Sequence, residues 1–318
     1  MSKILITGGA GFIAFHLANM LKNKGNSVVG FDNYNPYYDP SLKRARVTEL
    51  SKNDVVIHTA DLNNKDQMFE LMSQEKPDVV VHLAAHAGVR QSLENPRDYI
   101  ENNIIGTQNL IDACEANGIS KVIYASTSCV MAGNALPWKE DEPTDHQLNP
   151  YGYSKRTNEC QFKVSKIEKV IGLRFFTVYG PWGRPDMALF TFTKNILDSK
   201  PIDVFNYGDM KRDFTYVDDI VQGIGIVIDR VLSVDNSINE IYNIGYGKQV
   251  DLMQFIREIE KNFGRVADKN MLPIHPADTQ ETWSDTTKLK ALGYQPTTPV
   301  SVGIEKFASW YKSYYKVN

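Results

Sequence analysis

Short apolar runs alternate with longer segments of mixed polarity through the first half of the chain. The runs are rich in Val and Ile, which is typical of strands buried on both faces of a parallel sheet. The predicted strands are Lys3–Thr7, Ser27–Asp32, Asp54–His58, Asp78–Ala84, Lys121–Ser126 and Val170–Phe176. The segments between them that have room for a helix include Phe12–Lys24, Pro96–Asn117 and Gly152–Lys166. This alternation predicts right-handed crossovers, and therefore an α/β fold built on a doubly wound parallel sheet.

The pattern changes after about Gly180, where a Pro-Trp-Gly-Arg-Pro segment indicates a rigid loop. The elements predicted beyond it are the helices Met187–Ser199, Asp251–Phe263 and Ser301–Tyr314 and the strand Ile202–Phe205. They indicate a smaller C-terminal α/β domain over the carboxyl edge of the sheet, where open α/β sheets bind ligands. We therefore divide the chain into residues 1–178 and 179–318, with a segment near 212–245 returning to the first domain.

Composition narrows the possible classes of protein. A length of 318 residues suggests about two domains, and 42% hydrophobic with 23% charged residues excludes a disordered chain. The 35 Lys and Arg residues nearly balance 38 Asp and Glu residues, so we expect no binding to nucleic acid or to an anionic membrane. No run approaches the ~18 apolar residues that span a bilayer, and the N-terminus does not resemble a signal peptide.

The cysteines indicate the cellular compartment. Cys114, Cys129 and Cys160 are odd in number and widely spaced, so they fit neither a disulfide framework nor a zinc site. Buried thiols in a reducing compartment fit better. We expect a cytoplasmic protein without a metal site.

The strongest local signal is a glycine-rich turn directly after the first strand, with the spacing Gly-x-x-Gly-x-x-Ala. Gly8 permits the tight turn, Gly11 lets the backbone approach a pyrophosphate, and Ala14 allows the helix to pack closely on the strand. Asp32, at the end of the second strand, suits a ribose 2′-hydroxyl and repels a 2′-phosphate. These features predict a Rossmann-type domain that binds NAD. Asp61 lies where an adenine contact is expected, although it could equally be a helix N-cap.

A second pattern, Tyr-x-x-x-Lys, places Tyr151 and Lys155 on one face of a helix. An ammonium group beside a phenol favours the phenolate and lowers its pKa, so Tyr151 is a candidate general base for a sugar hydroxyl. Thr127 and Ser128 end a strand upstream, where a hydroxyl could bind the same substrate oxygen and relay its proton. Together with these hydroxyls, the Tyr151 and Lys155 pair favours a catalytic site over a chance spacing on a helix.

At these motifs the chain resembles the extended short-chain dehydrogenase/reductases, and within them the nucleotide-sugar 4-epimerases acting on UDP-glucuronate. The resemblance covers nearly the whole chain. Its most specific part is the run RFFTVYGPWGRPDM at residues 174–187. Further matches are Val29–Pro40, His82–Arg90 and Arg212–Asp219.

The resemblance implies a complete set of roles. Tyr151 would take the proton of the substrate 4-hydroxyl while C4 gives hydride to NAD, Lys155 would hold the nicotinamide ribose, and Thr127 or Ser128 would be the catalytic hydroxyl. The 4-keto sugar would then turn and take the hydride back on its other face. The residues implied to contact the cofactor are Gly8, Gly11, Phe12, Ile13, Asp32, Asn33, Asp61, Leu62, Leu83, Ala84, Ala85, Asn102, Tyr151, Lys155 and Phe176. The residues implied to contact the UDP-sugar are Thr127, Ser128, Thr177, Arg184, Arg212 and Asp278, with Arg90 a candidate for the uronate carboxylate.

Some positions depart from the family pattern. Ala14 replaces the third glycine of the turn, His86 stands where glutamine is usual, and Trp283 where a smaller residue or tyrosine is common. Met131 replaces a tyrosine near the expected wall of the active site. These changes leave the chemistry intact but bear on the identity of the sugar.

Alternatives to 4-epimerisation of UDP-glucuronate therefore stay open. The same 4-keto chemistry could serve a C5-epimerase, a decarboxylase, or a 4-epimerase of another UDP-sugar, and a non-catalytic NAD-binding scaffold is a more remote reading. A 4,6-dehydratase is disfavoured, because that branch carries Thr-Asp-Glu where this chain has Thr127-Ser128-Cys129. The resemblance also implies a homodimer that pairs the helix before the Ser/Thr strand with the helix of Tyr151. Cys114 and Cys160 would lie on those helices as small buried hydrophobic residues.

Overall fold

A seven-stranded parallel sheet forms the centre of the computed structural model, which describes residues 1–317. The strands are β1 Lys3–Thr7, β2 Ser27–Asp32, β3 Val56–Thr59, β4 Val79–His82, β5 Lys121–Thr127, β6 Lys169–Phe175, β7 Thr177–Tyr179, β8 Ile202–Val204, β9 Lys211–Arg212, β10 Phe214–Tyr216, β11 Ile238–Ile244, β12 Val250–Asp251 and β13 Lys269–Met271. The central sheet has the order β11-β6-β5-β4-β1-β2-β3, and the other strands form three two-stranded sheets. The predicted doubly wound fold is confirmed.

Helices connect and cover these strands. They are α1 Phe12–Asn23, α2 Ser41–Ser51, α3 Lys65–Glu75, α4 Gln91–Glu94, α5 Pro96–Tyr99, α6 Gly106–Ala116, α7 Pro150–Val164, α8 Ala188–Leu197, α9 Val217–Ser233, α10 Leu252–Phe263, α11 Thr287–Lys290 and α12 Val300–Tyr315. A π-helical segment, Ile100–Ile105, joins α5 to α6, so the single helix predicted at Pro96–Asn117 is interrupted. Among residues 1–317 no helix is long and apolar enough to cross a membrane.

Alternating side chains of the central strands belong to two apolar layers, one on each face of the sheet. Ile4 and Ile6 of β1 join the layer beneath α1 and α9, whereas Leu5 joins the opposite layer beneath α3 and α6. Consecutive strand residues point to opposite faces, so an uninterrupted apolar strand serves both layers. This explains why the short apolar runs could be assigned to a sheet covered on both sides.

Helices α8, α10 and α12 share a third apolar cluster, in which Phe214 stacks on Phe255 with ring centroids 4.0 Å apart. Although β11 lies late in the chain, it pairs with β6 over seven residues, from Ile238 opposite Lys169 to Ile244 opposite Phe175. The boundary at residues 178 and 179 stays a prediction.

Two cysteines of the predicted interface helices differ in exposure. Cys114 is fully buried within the layer beneath α3 and α6, but Cys160 is exposed. The expectation that both are buried is wrong for Cys160 in the single chain, because α7 turns that side chain away from its own core.

Candidate active site

The carboxyl ends of the central strands open into a cleft of about 780 Å³. A volume of this size is typical of small-molecule sites. Every site residue predicted from the sequence lines this cleft: Gly8, Gly11, Phe12, Ile13, Asp32, Asn33, Asp61, Leu62, Leu83, Ala84, Ala85, Arg90, Asn102, Thr127, Ser128, Tyr151, Lys155, Phe176, Thr177, Arg184, Arg212 and Asp278. The chain thus brings the predicted residues together, and their individual roles stay predictions.

The glycine turn packs tightly against the segment that follows β4. Gly8 has a φ of +67°, and a Cβ at that position would lie 2.9 Å from the Cα atom of Ala84. Gly11 precedes the first residue of α1 and has no side chain that could cap the helix. The free N–H groups at the start of α1 therefore suit a pyrophosphate, and the turn fits NAD.

Asp32 is fixed beside this turn. Its Oδ2 accepts a hydrogen bond from the Ala10 N–H at 3.2 Å, and its Oδ1 accepts bonds from the Tyr34 N–H at 2.8 Å and from Lys43 Nζ at 3.2 Å. The side chain of Asp32 is 6% exposed and lines the cleft, so its carboxylate can be reached by a ribose bound there. Lys43 also lines the cleft and was missed from the sequence, because a lone lysine on a surface-type helix forms no motif.

Asp61 does not cap a helix. The cap of α3 is Asn64, whose side chain accepts from the Gln67 N–H at 3.1 Å. Asp61 instead accepts a hydrogen bond from the Asn33 side chain at 2.9 Å and one from the Asn63 N–H at 2.8 Å. The sequence left two interpretations of Asp61 open, an adenine contact or a helix N-cap. The helix N-cap is wrong, and the adenine contact stays a prediction.

Tyr151 and Lys155 lie on α7, and the side chain of Asn149 caps this helix by accepting from the Gly152 N–H at 2.8 Å. Burial raises the pKa of Tyr151 to about 12, and the nearby Thr127 hydroxyl and Arg184 guanidinium oppose that rise. Burial lowers the pKa of Lys155 to about 8. In the chain alone the pKa of Tyr151 is therefore raised, and the expectation that it lies below its usual value is wrong.

A buried ion pair between Glu159 and Arg174 anchors α7, the helix that carries Tyr151 and Lys155. The Glu159 carboxylate accepts hydrogen bonds from Arg174 Nε at 2.9 Å, Arg174 Nη2 at 3.0 Å and Ser126 Oγ at 2.7 Å. Glu159 is on α7, Ser126 is on β5 next to Thr127, and Arg174 is on β6. The pair therefore ties the helix that carries Tyr151 to the strand that carries Thr127.

His86 takes a place in the wall of the cleft beside the aromatic rings of Tyr37 and Tyr99. Asn103, in the π-helical segment, holds its backbone: the His86 N–H donates to Asn103 Oδ1 at 2.8 Å, and Asn103 Nδ2 donates to the His86 carbonyl at 2.9 Å. Burial lowers the pKa of His86, so the ring is neutral near pH 7. Through Asn103, the π-helical segment therefore fixes the backbone of the loop that carries His86 along the cleft.

Of the other departures from the family pattern, Ala14 lines the cleft, whereas Met131 and Trp283 lie outside it. Met131 is fully buried with Val130, Trp138 and Phe176, so it lies behind the wall formed by Phe176 and is not part of that wall. Trp283 is 36% exposed and donates a hydrogen bond to the Gly247 carbonyl at 3.1 Å. Neither replacement changes a residue that faces the cleft.

Three arginines surround the far end of the cleft. Arg90 Nη2 pairs with Asp278 Oδ2 at 2.7 Å, and its guanidinium carbon lies 3.7 Å from the ring centroid of Phe205. Arg212 donates to the carbonyls of the segment 279–280 at 2.7 and 2.8 Å. Arg184 forms a forked pair with Asp186 at 3.1 and 2.5 Å. Asp186 and Phe205 were not found from the sequence.

A family model and several known proteins match this chain over most of its length. The model of the NAD dependent epimerase/dehydratase family matches residues 4–245. Protein CapI of Staphylococcus aureus is 42% identical over 332 residues, which cover 99% of both chains. The probable UDP-glucuronate 4-epimerase of Rhizobium meliloti is 38% identical over 334 residues, covering 99% of this chain and 98% of that protein.

A solved structure is similar over its whole length. UDP-glucuronic acid 4-epimerase from Bacillus cereus, crystallised with UDP-glucuronic acid and NAD, superposes with a TM-score of 0.90 and 37% identity. The match covers 98% of this chain and 100% of that one.

Proposed function

The chain belongs to the NAD dependent epimerase/dehydratase family, and from this we propose that it is an NAD-dependent 4-epimerase that converts UDP-glucuronate to UDP-galacturonate through a 4-keto sugar. The observation that carries the proposal is the convergence of the glycine turn, Asp32, Tyr151 and Lys155 on one cleft. Full-length similarity to enzymes with this activity, in sequence and in structure, supports the same substrate.

The cofactor would lie across the glycine turn. Its pyrophosphate would meet the N-terminus of α1, Asp32 would accept hydrogen bonds from a ribose, and Lys43 would add a cation beside that carboxylate. When bound, NAD supplies the acceptor and donor for the hydride at C4. The remaining steps depend on proton transfer and on orientation of the sugar by the chain.

Tyr151 would remove the proton of the 4-hydroxyl and later return it. Its burial and its high pKa of about 12 mean that it needs local positive charge to act as a base near neutral pH. Lys155, with a pKa of about 8, is largely protonated at pH 7 and would supply that charge. Thr127 is close enough to Tyr151 to affect its pKa, and would bind the same substrate oxygen.

The uronate carboxylate would be recognised by Arg184 rather than by Arg90. Arg90 is paired with Asp278 and stacked on Phe205, so we assign it to the nucleotide end of the substrate. Arg184 acts electrostatically on Tyr151, so it lies nearer to the reacting carbon. A guanidinium offers a planar fork of donors that matches a carboxylate.

The test is proton NMR of UDP-glucuronate incubated with the protein and NAD in D₂O. We expect UDP-galacturonate with unexchanged hydrogens at C4 and C5, and no product with the matched Tyr151→Phe variant. Deuterium at C5 would indicate a C5-epimerase, a UDP-pentose would indicate a decarboxylase, and unchanged substrate would indicate another sugar or a non-catalytic scaffold. Each of those results would overturn the proposal.

We also propose that the protein is a cytoplasmic homodimer. Ile105, at the junction of the π-helical segment with α6, is 49% exposed, and Cys160 on α7, the other helix of the predicted interface, is also exposed. A second copy would cover these apolar side chains. Sedimentation equilibrium should give a dimer, and Ile105→Glu should give a monomer. A monomeric wild-type protein would refute the dimer, and cell fractionation tests the location.

A further inference from the structure

In the part of the chain that the structure describes, Arg46 of α2 is the largest fully buried side chain, with 0% exposure. Among residues 1–317 no carboxylate lies within ion-pair distance of its guanidinium, so backbone carbonyls compensate the buried charge. Nη1 donates to the Ala10 carbonyl at 2.9 Å and to the Tyr38 hydroxyl at 3.0 Å. A desolvated cation held in this way fixes the groups that surround it, because losing any of its partners is costly.

The other partners of Arg46 lie in the loop before Arg184. Nε and Nη2 donate to the Trp182 carbonyl at 3.1 and 2.6 Å, and Nη2 also donates to the Gly183 carbonyl at 3.2 Å. Trp182 has a φ of +59°, which a residue with a side chain adopts only when its surroundings enforce it.

His16 of α1 holds the same loop one residue earlier. Its Nε2 bonds to the Pro181 carbonyl at 2.8 Å, and this nitrogen must be the donor because a carbonyl can only accept. Three successive carbonyls, from Pro181 to Gly183, therefore accept hydrogen bonds from side chains of α1 and α2. The loop that carries Arg184 is thereby fastened to the glycine turn, through Ala10.

We propose that Arg46 is a positioning residue for Arg184: it fixes the 181–183 loop against the glycine turn, and the recognition of an anionic sugar depends on it. The inference rests on the proposed function, in which Arg184 binds the uronate carboxylate. Arg46 itself touches neither ligand site directly and lines no part of the cleft. Its effect should therefore concern the carboxylate and leave the nucleotide part of the substrate unaffected.

The experiment compares the affinities of the NAD-saturated protein for UDP and for UDP-glucuronate by calorimetry. Arg46→Met should weaken UDP-glucuronate binding about tenfold, the size expected when a charge-assisted contact is misplaced, and should leave UDP binding unchanged. In an Arg184→Met background the same substitution should have little further effect, since the two residues act through one contact.

Arg46→Lys covers the case in which the Met variant does not fold. An ammonium keeps the charge but cannot reach Ala10 and both loop carbonyls together, so it should cause a smaller loss that is also selective for UDP-glucuronate. Arg230→Met is the matched control, because Arg230 forms a forked pair with Glu240 away from the cleft, at 2.7 and 2.6 Å. It should lower the melting temperature without changing the ratio of the two affinities.

The inference would be overturned if Arg46→Met weakened the binding of UDP and of UDP-glucuronate equally, or if it kept its full effect in the Arg184→Met background. Arg46 would then have a structural role only. A selective loss with Arg184→Met but not with the Arg46 variants would overturn the inference alone. No selective loss with Arg184→Met would overturn both the inference and the proposed role of Arg184.

Discussion

Lys155 and Glu159 lie one helical turn apart on α7, and the buried Glu159 carboxylate opposes the lowering of the Lys155 pKa by burial. The same carboxylate binds Arg174 and the Ser126 hydroxyl. It therefore acts on the catalytic residues in two ways, by keeping Lys155 charged and by holding α7 against β5. Glu159 is a positioning residue in this scheme. Its electrostatic effect on Lys155 can be separated by experiment from its structural effect on α7.

Replacing Glu159 with Gln should move the alkaline limit of activity to lower pH, because Lys155 loses the anion that keeps it protonated. It should also cost about 3–5 kcal/mol of unfolding free energy, since Arg174 stays buried without a countercharge. The measurements are the pH profile of kcat and urea denaturation. Glu240→Gln, which breaks a pair outside the cleft, should not move the profile. A destabilised Glu159→Gln protein with an unshifted profile would contradict the electrostatic role.

Replacing Tyr151 with Phe removes only the hydroxyl and keeps the edge-to-face contact of the ring with Tyr99. We expect kcat to fall by about 10²–10⁴, the contribution of a positioned acid or base. NAD binding and the unfolding free energy should be retained. A variant with kcat within about tenfold of wild type would show that another group removes the proton.

Lys155 should lower stability at neutral pH. Its pKa is about 8 in the folded chain and 10.5 in the reference state, so between these values the unfolded chain binds more protons. The unfolding free energy of the wild type therefore gains about 3 kcal/mol from this group as pH rises from 8 to 10.5.

The variant Lys155→Met lacks that dependence and should be inactive. Its stability advantage over wild type should be largest near pH 7 and shrink towards pH 10.5, as measured by urea denaturation at several pH values. Parallel curves for the two proteins would refute the assignment of the titration to Lys155.

His82 should make the protein sensitive to acid. The Thr7 hydroxyl accepts from the Leu83 and Ala84 N–H groups, so it must donate its own proton to His82 Nδ1, 2.8 Å away. Burial lowers the pKa of His82 from 6.5 to about 3, so stability due to the neutral ring is present above pH 6.5 and is lost as pH falls.

Below pH 6.5 the wild type should lose about 1.4 kcal/mol for each pH unit from this residue. In His82→Gln the side chain does not titrate, so the difference between the two stability curves isolates the effect. Circular dichroism during denaturation at pH 6.5, 5.5 and 4.5 measures it. A constant difference across these pH values would exclude His82 as the titrating group.

Short-range patterns in the sequence allowed the sheet to be predicted. The members of the site were predicted from such patterns together with the resemblance to a known family. Each predicted strand of the central sheet is present with its ends shifted by a few residues at most, and β1 and β2 have the predicted bounds. Parallel strands end at one edge, so residues placed at strand ends meet there without any knowledge of distances. The glycine turn, Asp32 and Thr127 were found in this way, whereas Tyr151 was found from the Tyr-x-x-x-Lys spacing on a helix.

Residues that act through long-range contacts were not found. Arg46 meets Trp182 across 136 positions of sequence, and Glu159 is recognisable only once Arg174 and Ser126 are seen beside it. The choice between Arg90 and Arg184 likewise depends on which guanidinium lies near Tyr151. The π-helical segment Ile100–Ile105 is only six residues long, too short for its wider turn to give an apolar spacing of its own in the sequence.

The position of β11 sets the order in which this protein can be completed during synthesis. Until residues 238–244 have left the ribosome, the seven residues of β6, several of them apolar, are paired with β5 on one side and open on the other. Such an edge can recruit strands from other chains. A fragment that stops at residue 178 should therefore aggregate. For circular permutation or split-protein designs, cuts between β6 and β11 are consequently the ones to avoid.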